Sequence, residues 1–139
     1  MAQINFGRVA LGGLAAGVVA NALDYVVGTY LMQTEMSDMI RRLNLPVDAV
    51  EGSMVTWIVI DFIWGLLLVF TYAGIRPRFG PGPKTAVISG LTLWLAVTSM
   101  FAGLMSMGIF TQQAFIKNGA LYLASTLIAS LVGAALYKE

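Results

Sequence analysis

Two carboxylates stand out because of where they fall. Asp24 is the one charge between Val9 and Met32, and Asp61 the one charge between Ser53 and Ile75. Each run is long enough to cross a bilayer, since about 20 apolar residues span roughly 30 Å of hydrocarbon. An acid inside such a run is costly and is by default a functional hypothesis. Each lies about eight residues in from the outer end of its run, so at about 1.5 Å per residue both sit roughly 12 Å deep. Antiparallel neighbours then bring the two carboxyls to one level, with Asn21, Tyr25, Trp57 and Trp64 around them and no Lys or Arg at that depth. Two acids in a dry site with no cation between them cannot both stay ionised; they share a proton or hold a cation. That chemistry suits proton-coupled or cation-binding work. The competing reading is a neutral Asp hydrogen-bonded to Asn, Thr or Tyr across a helix bundle, a contact worth about 0.6 kcal/mol.

The elements that position these acids are helices in a membrane. With 139 residues, 58% of them hydrophobic and 11% charged, and a mean hydropathy of +0.81, the chain is too apolar for a soluble domain. It has no Cys and no His, which excludes disulfides, the usual zinc and haem sites, and Ser-His or Cys-His nucleophilic pairs. We therefore expect no enzyme and no cofactor. In the first run, Gly13, Gly17 and Asn21 recur every four residues, with Gly12, Ala16 and Ala20 beside them and Asp24 and Gly28 continuing the stripe. That small-xxx-small face predicts close helix contact and turns Asp24 toward neighbouring helices. In the second run, Trp57, Asp61, Trp64, Leu68 and Thr71 share one helical face.

The fold class expected is all-α: an antiparallel four-transmembrane-helix bundle in a single domain, residues 1–139. Its spans are expected at about 8–32, 53–75, 85–109 and 111–137. Ala20-Asn21-Ala22 offers a signal-peptidase pattern, but the apolar run continues ten residues beyond it, so the first span is read as uncleaved. Between spans one and two, Met36, Met39, Ile40 and Leu43 line one side of a short helix at about 37–44, with Ser37 as its cap and Pro46 beyond its end. This helix is expected to lie on the membrane surface. Residues 76–84, RPRFGPGPK, hold three prolines and two glycines and are expected to form a stiff non-helical turn, with Pro83 near the start of span three. Small or polar stripes recur in span three (Ser89, Thr92, Ala96, Ser99, Gly103, Ser106) and in span four (Gly119, Tyr122, Thr126, Ser130, Gly133, Tyr137).

Arg8, Arg76, Arg78, Lys84 and Lys138 flank one side against Arg41, Arg42 and Lys117 on the other, so both termini are expected in the cytoplasm. Arg76, Arg78 and Lys84 fix this topology and are candidates for binding anionic lipid headgroups. Nucleic acid is not an expected partner. Met32, Met36, Met105 and Met107 have the spacing of soft thioether ligands for Cu(I), a weak reading beside that of gap-filling methionines under the surface helix. Tyr30, Tyr72 and Tyr137 read as interfacial anchors.

The segment YAGIRPRFGPGPKTAVISGL at residues 72–91, the opening FGRVALGGLAAG and the closing ALYKE resemble a set of small bacterial integral membrane proteins with four spans. That resemblance implies a bacterial inner membrane and the four-span layout, and it carries no activity. The architecture is also similar to the small multidrug resistance transporters, with an acid in the first of four spans. Their sequence motif is lacking here, so the likeness is one of layout. The leading expectation is a non-enzymatic inner-membrane protein acting as a homo-oligomer or as an accessory subunit of a larger membrane complex, with the lipid bilayer and itself or other subunits as partners. The alternative is a proton- or cation-coupled carrier or channel for a small or lipophilic solute, using Asp24 and Asp61.

Overall fold

The computed structural model of the chain describes residues 3–138; Met1 and Ala2 of the polar start, and Glu139 of the closing ALYKE segment, lie outside the described residues. The architecture is all-α. Helix α1 spans Phe6–Val26 and continues as a π turn over Val27–Leu31; α2 covers Gln33–Arg42, α3 Ala49–Gly52, α4 Met54–Phe79, α5 Pro83–Ser106 and α6 Gln112–Leu136. Four helical segments, Phe6–Leu31, α4, α5 and α6, are long and apolar enough to cross a membrane. They form the bundle of a multi-pass membrane protein.

The glycine stripe of α1 decides how the bundle closes. Gly13 meets Leu66 of α4 and Gly17 meets Phe62, while Gly65 of α4 lies directly on the backbone of Gly13 and Gly17. Asn21 extends this ladder by one step, donating from Nδ2 to its own turn at Gly17 O (3.0 Å) and across to Ile58 O (3.3 Å). On the neighbouring face, Gly12 meets Gly133 of α6. With no side chains between them the backbones come within contact, which is how small residues drive helix association where lipid offers no hydrophobic gain. Helix α5 packs on α4 and α6. Three hydrogen bonds fix it: Ser89 donates to Leu68 O and Ser130 to Ala86 O, each at 2.7 Å, and Trp94 Nε1 to Gly119 O at 3.0 Å.

Several boundaries differ from the expectation for identifiable reasons. Asn5 caps α1 by accepting from Arg8 N at 3.1 Å, so the first span starts at Phe6. The surface helix starts at Gln33, and Ser37 lies inside it, donating to Gln33 O at 2.8 Å; the hydroxyl bonds back along the helix and does not cap it. Residues 76–79 of the proline-rich segment are helical, and the turn shrinks to Gly80–Gly82. Pro77 has no N–H to give to Ala73 O, and because it lies so close to the end of α4 the loss is confined to the last turn. Gly80 (φ 83°) and Gly82 (φ 124°) supply the left-handed backbone that reverses the chain.

Tyr72 and Tyr137 are buried and do not act as interfacial anchors. Their rings meet edge to face at 5.9 Å, Tyr137 Oη accepts from Asn5 N (3.1 Å), and Tyr72 Oη accepts from Gly82 N (3.0 Å). Together they clamp the end of the bundle that holds both termini. Tyr30 is exposed, as an anchor would be.

At the opposite end, α2 docks across the α5–α6 connection. Arg42 donates to Ile109 O (2.9 Å) and Gly108 O (3.4 Å), and Lys117 pairs with Glu35 at 2.7 Å. The Lys117 ammonium beside Glu35 holds that carboxyl below the ordinary carboxylate range.

Candidate functional site

The two intramembrane acids meet. Asp24 reaches Asp61 side chain to side chain across the α1–α4 seam, one level beyond the Gly17–Phe62 step of the ladder. Helix α6 completes the site. Ser125 donates to Asp24 Oδ1 at 2.7 Å, and Tyr122 lies within electrostatic range of both carboxyls. The Trp64 ring, one turn along α4 from Asp61, stacks against Tyr122 with centroids 5.9 Å apart at 37°. Asp61 and Trp64 are buried, and Asp24 is half-buried. One buried donor beside Asp61 has no hydrogen-bond partner within the protein: Trp64 Nε1, in a residue 8% exposed.

Of the residues expected around the acids, the structure brings Trp64 into the cluster and sets Asn21 beside it as a clamp on the α4 backbone. Tyr25 and Trp57 turn outward, 61% and 56% exposed. The reason lies in α2. All of Met54 to Ile60, the outermost stretch of α4, is exposed, because α1 departs through its π turn toward α5 and α6 and leaves that part of α4 uncovered.

Sequence reasoning missed Ser125 and left Tyr122 and Thr126 in a stripe of unknown partner. Val69 faces Gly133, and the same offset along these two parallel helices sets Asp61 level with Ser125. Helix α6 starts further out than α4, so depths counted from span ends could not align them. The usable signal was the adjacent hydroxyl pair Ser125-Thr126 one turn after Tyr122.

The other candidate groups are less concerted. Arg76 lies over the Tyr137 ring, 5.6 Å from its centroid, as part of the tyrosine clamp, whereas Arg78 and Lys84 are exposed at the same end. Met32 is buried, Met36 and Met105 are half-buried, and Met107 is 74% exposed.

Chemically, two carboxyls in contact beside a hydroxyl donor are an arrangement that can share a proton. Compared with family models, with curated proteins and with solved structures, the chain matches none.

Proposed function

We propose that this chain is a non-enzymatic protein of the bacterial inner membrane, both termini cytoplasmic, that works as a homo-oligomer or as an accessory subunit of a larger membrane complex. The observation that carries the reading is the state of α5. Only 11% of its most apolar stretch is buried, against 33% in α1, 39% in α4 and 33% in α6. Beyond Ser89 its small and polar stripe of Thr92, Ala96, Ser99, Gly103 and Ser106 is exposed throughout. Thr92, Ser99 and Ser106 turn their hydroxyls back to the carbonyls of Ile88, Leu95 and Gly103 in their own helix. The stripe is therefore smooth and hydrogen-bonded within itself, the kind of face on which another transmembrane helix packs closely. The orientation is supported by the excess of basic residues at the end that holds the termini.

The test is the mass of the particle in mild detergent and in native membranes. Wild type is expected as an oligomer or with a co-purifying membrane partner, and Gly103→Leu, which roughens the stripe, is expected to release monomer. A strictly monomeric wild type without a partner overturns the reading.

A second reading is favoured by the contact between Asp24 and Asp61: a proton- or cation-coupled carrier or channel for a small solute. It predicts coupled flux in proteoliposomes that Asp24→Asn abolishes.

A further inference from the structure

The junction of α1, α4 and α6 is built around groups that the bundle does not itself satisfy. Two acids touch each other there. Ser125 occupies one oxygen of Asp24, and the indole N–H of Trp64 is buried without a protein partner. Buried polar groups are almost always paired, and an orphan marks a bound water, ion or working group. Below the acids α1 and α4 are in backbone contact through Gly13, Gly17 and Gly65, and on the α6 side the tilted rings of Tyr122 and Trp64 pack together.

We propose that this junction is a binding site for one exchangeable proton, held between the carboxyls of Asp24 and Asp61 and passed through water bound at Trp64 Nε1. In the loaded state one carboxyl carries the O–H and donates to the other, which accepts as a carboxylate while also receiving the Ser125 hydroxyl if it is Asp24. Loading moves a proton from hydronium to a carboxylate oxygen and leaves water; unloading is the reverse. The titratable groups facing the pair are each other and Tyr122 from α6. Helix α5 carries a single charged residue, Lys84, at the opposite end of the bundle, and Lys117, further out along α6, is engaged by Glu35. No fixed cation competes with the proton. The proposal draws on the carrier reading for the contact between the acids alone, and it holds whether or not a solute moves.

Infrared difference spectroscopy on the full chain in lipid nanodiscs tests it, following the C=O stretch of a protonated carboxyl. Wild type is expected to show this band at low pH, to lose it as pH rises, and to shift it on transfer to heavy water. Asp24→Asn and Asp61→Asn each leave a single acid and are expected to remove the shared-proton band or move it to that of an isolated carboxyl. The wild-type spectra decide the matter even where a variant fails to fold. Absence of a protonated band across the range overturns the proposal, as does a band that ignores heavy water or is untouched by both variants. Loss of the band when choline is replaced by sodium at constant pH also overturns it, by assigning the site to a metal cation. Proteoliposome flux that fails while the band behaves as expected removes the carrier reading and leaves the proton site standing.

Discussion

Gly65, midway along α4, and Gly103, in the last turn of α5, are the same residue in two spanning helices, and their surroundings are opposite. A methyl group added at Gly65 would run into the backbone of Gly13 and Gly17, with Gly17 Cα at 2.9 Å; one added at Gly103 meets nothing within 4 Å. The same contrast separates the two sides of the molecule. On one side α1, α4 and α6 are joined glycine to backbone and enclose the acid pair. On the other, α5 is fastened to α4 and α6 through Ser89, Ser130 and Trp94, and from Thr92 onward its small residues face outward. A stripe of small residues thus announces that a helix will be approached closely, but not by what. In α1 the partner is within the chain, and in α5 it is what the proposed function supplies.

The contrast can be broken by filling the glycines. Gly65→Ala is expected to destabilise the fold by about 1–3 kcal/mol through overpacking, read from unfolding in detergent. Gly103→Ala should change the isolated protomer by less than about 0.5 kcal/mol. Equal losses at the two sites would mean that α5 is as tightly packed as α4. The hydroxyls sharpen the comparison on a finer scale. Ser130→Ala removes a buried interhelical bond and should cost about 0.6 kcal/mol, the average for such bonds in membranes. Ser99→Ala, whose hydroxyl bonds to its own helix, should be indistinguishable from wild type in the same unfolding assay.

The smallest effect is expected where α2 latches onto the α5–α6 end. Because Lys117 lowers the folded-state pKa of Glu35, the ion pair stabilises docking fully above the ordinary Glu value of about 4.3. That stabilisation fades as pH falls through the lower folded-state value. The protection factors of the α2 amides, with intrinsic exchange divided out, should fall as pH is lowered through this range in wild type and stay flat with pH in Lys117→Met. Parallel profiles would show that the pair does not hold the helix.

How far the sequence could be read depends on which features are local. The four spans follow from runs of apolar residues, and the meeting of Asp24 with Asp61 follows from counting depth along two antiparallel helices. Both need only the rise per residue and the thickness of a bilayer. The place of Ser125 is not local, because it depends on how far α6 projects beyond α4, which packing at Val69 and Gly133 decides. Tyr25 and Trp57 were misjudged for a related cause: a helical wheel tells which residues share a face, while the direction in which α1 leaves the bundle determines whether that face is covered. Pro77 shows the reverse error. Its missing N–H costs the helix one bond, at Ala73 O, but so near the end of α4 that the helix runs on to Phe79.

The π turn at Val27–Leu31 has a mechanical meaning. Its closing bond runs from Met32 N to Val27 O at 2.8 Å, so it holds one residue more than an α-helical turn would between the same bonds. Each helical residue advances the chain by about 100° of rotation and about 1.5 Å. The surplus residue is therefore a phase shift between two rods: upstream, α1 keeps Asp24 turned inward, while downstream α2 is rotated to bring Glu35 to Lys117 and Arg42 to the carbonyls of Gly108 and Ile109. Deleting Thr29 would restore the α-helical phase and swing both latch residues off their partners by more than a quarter turn, with the acid pair left in register.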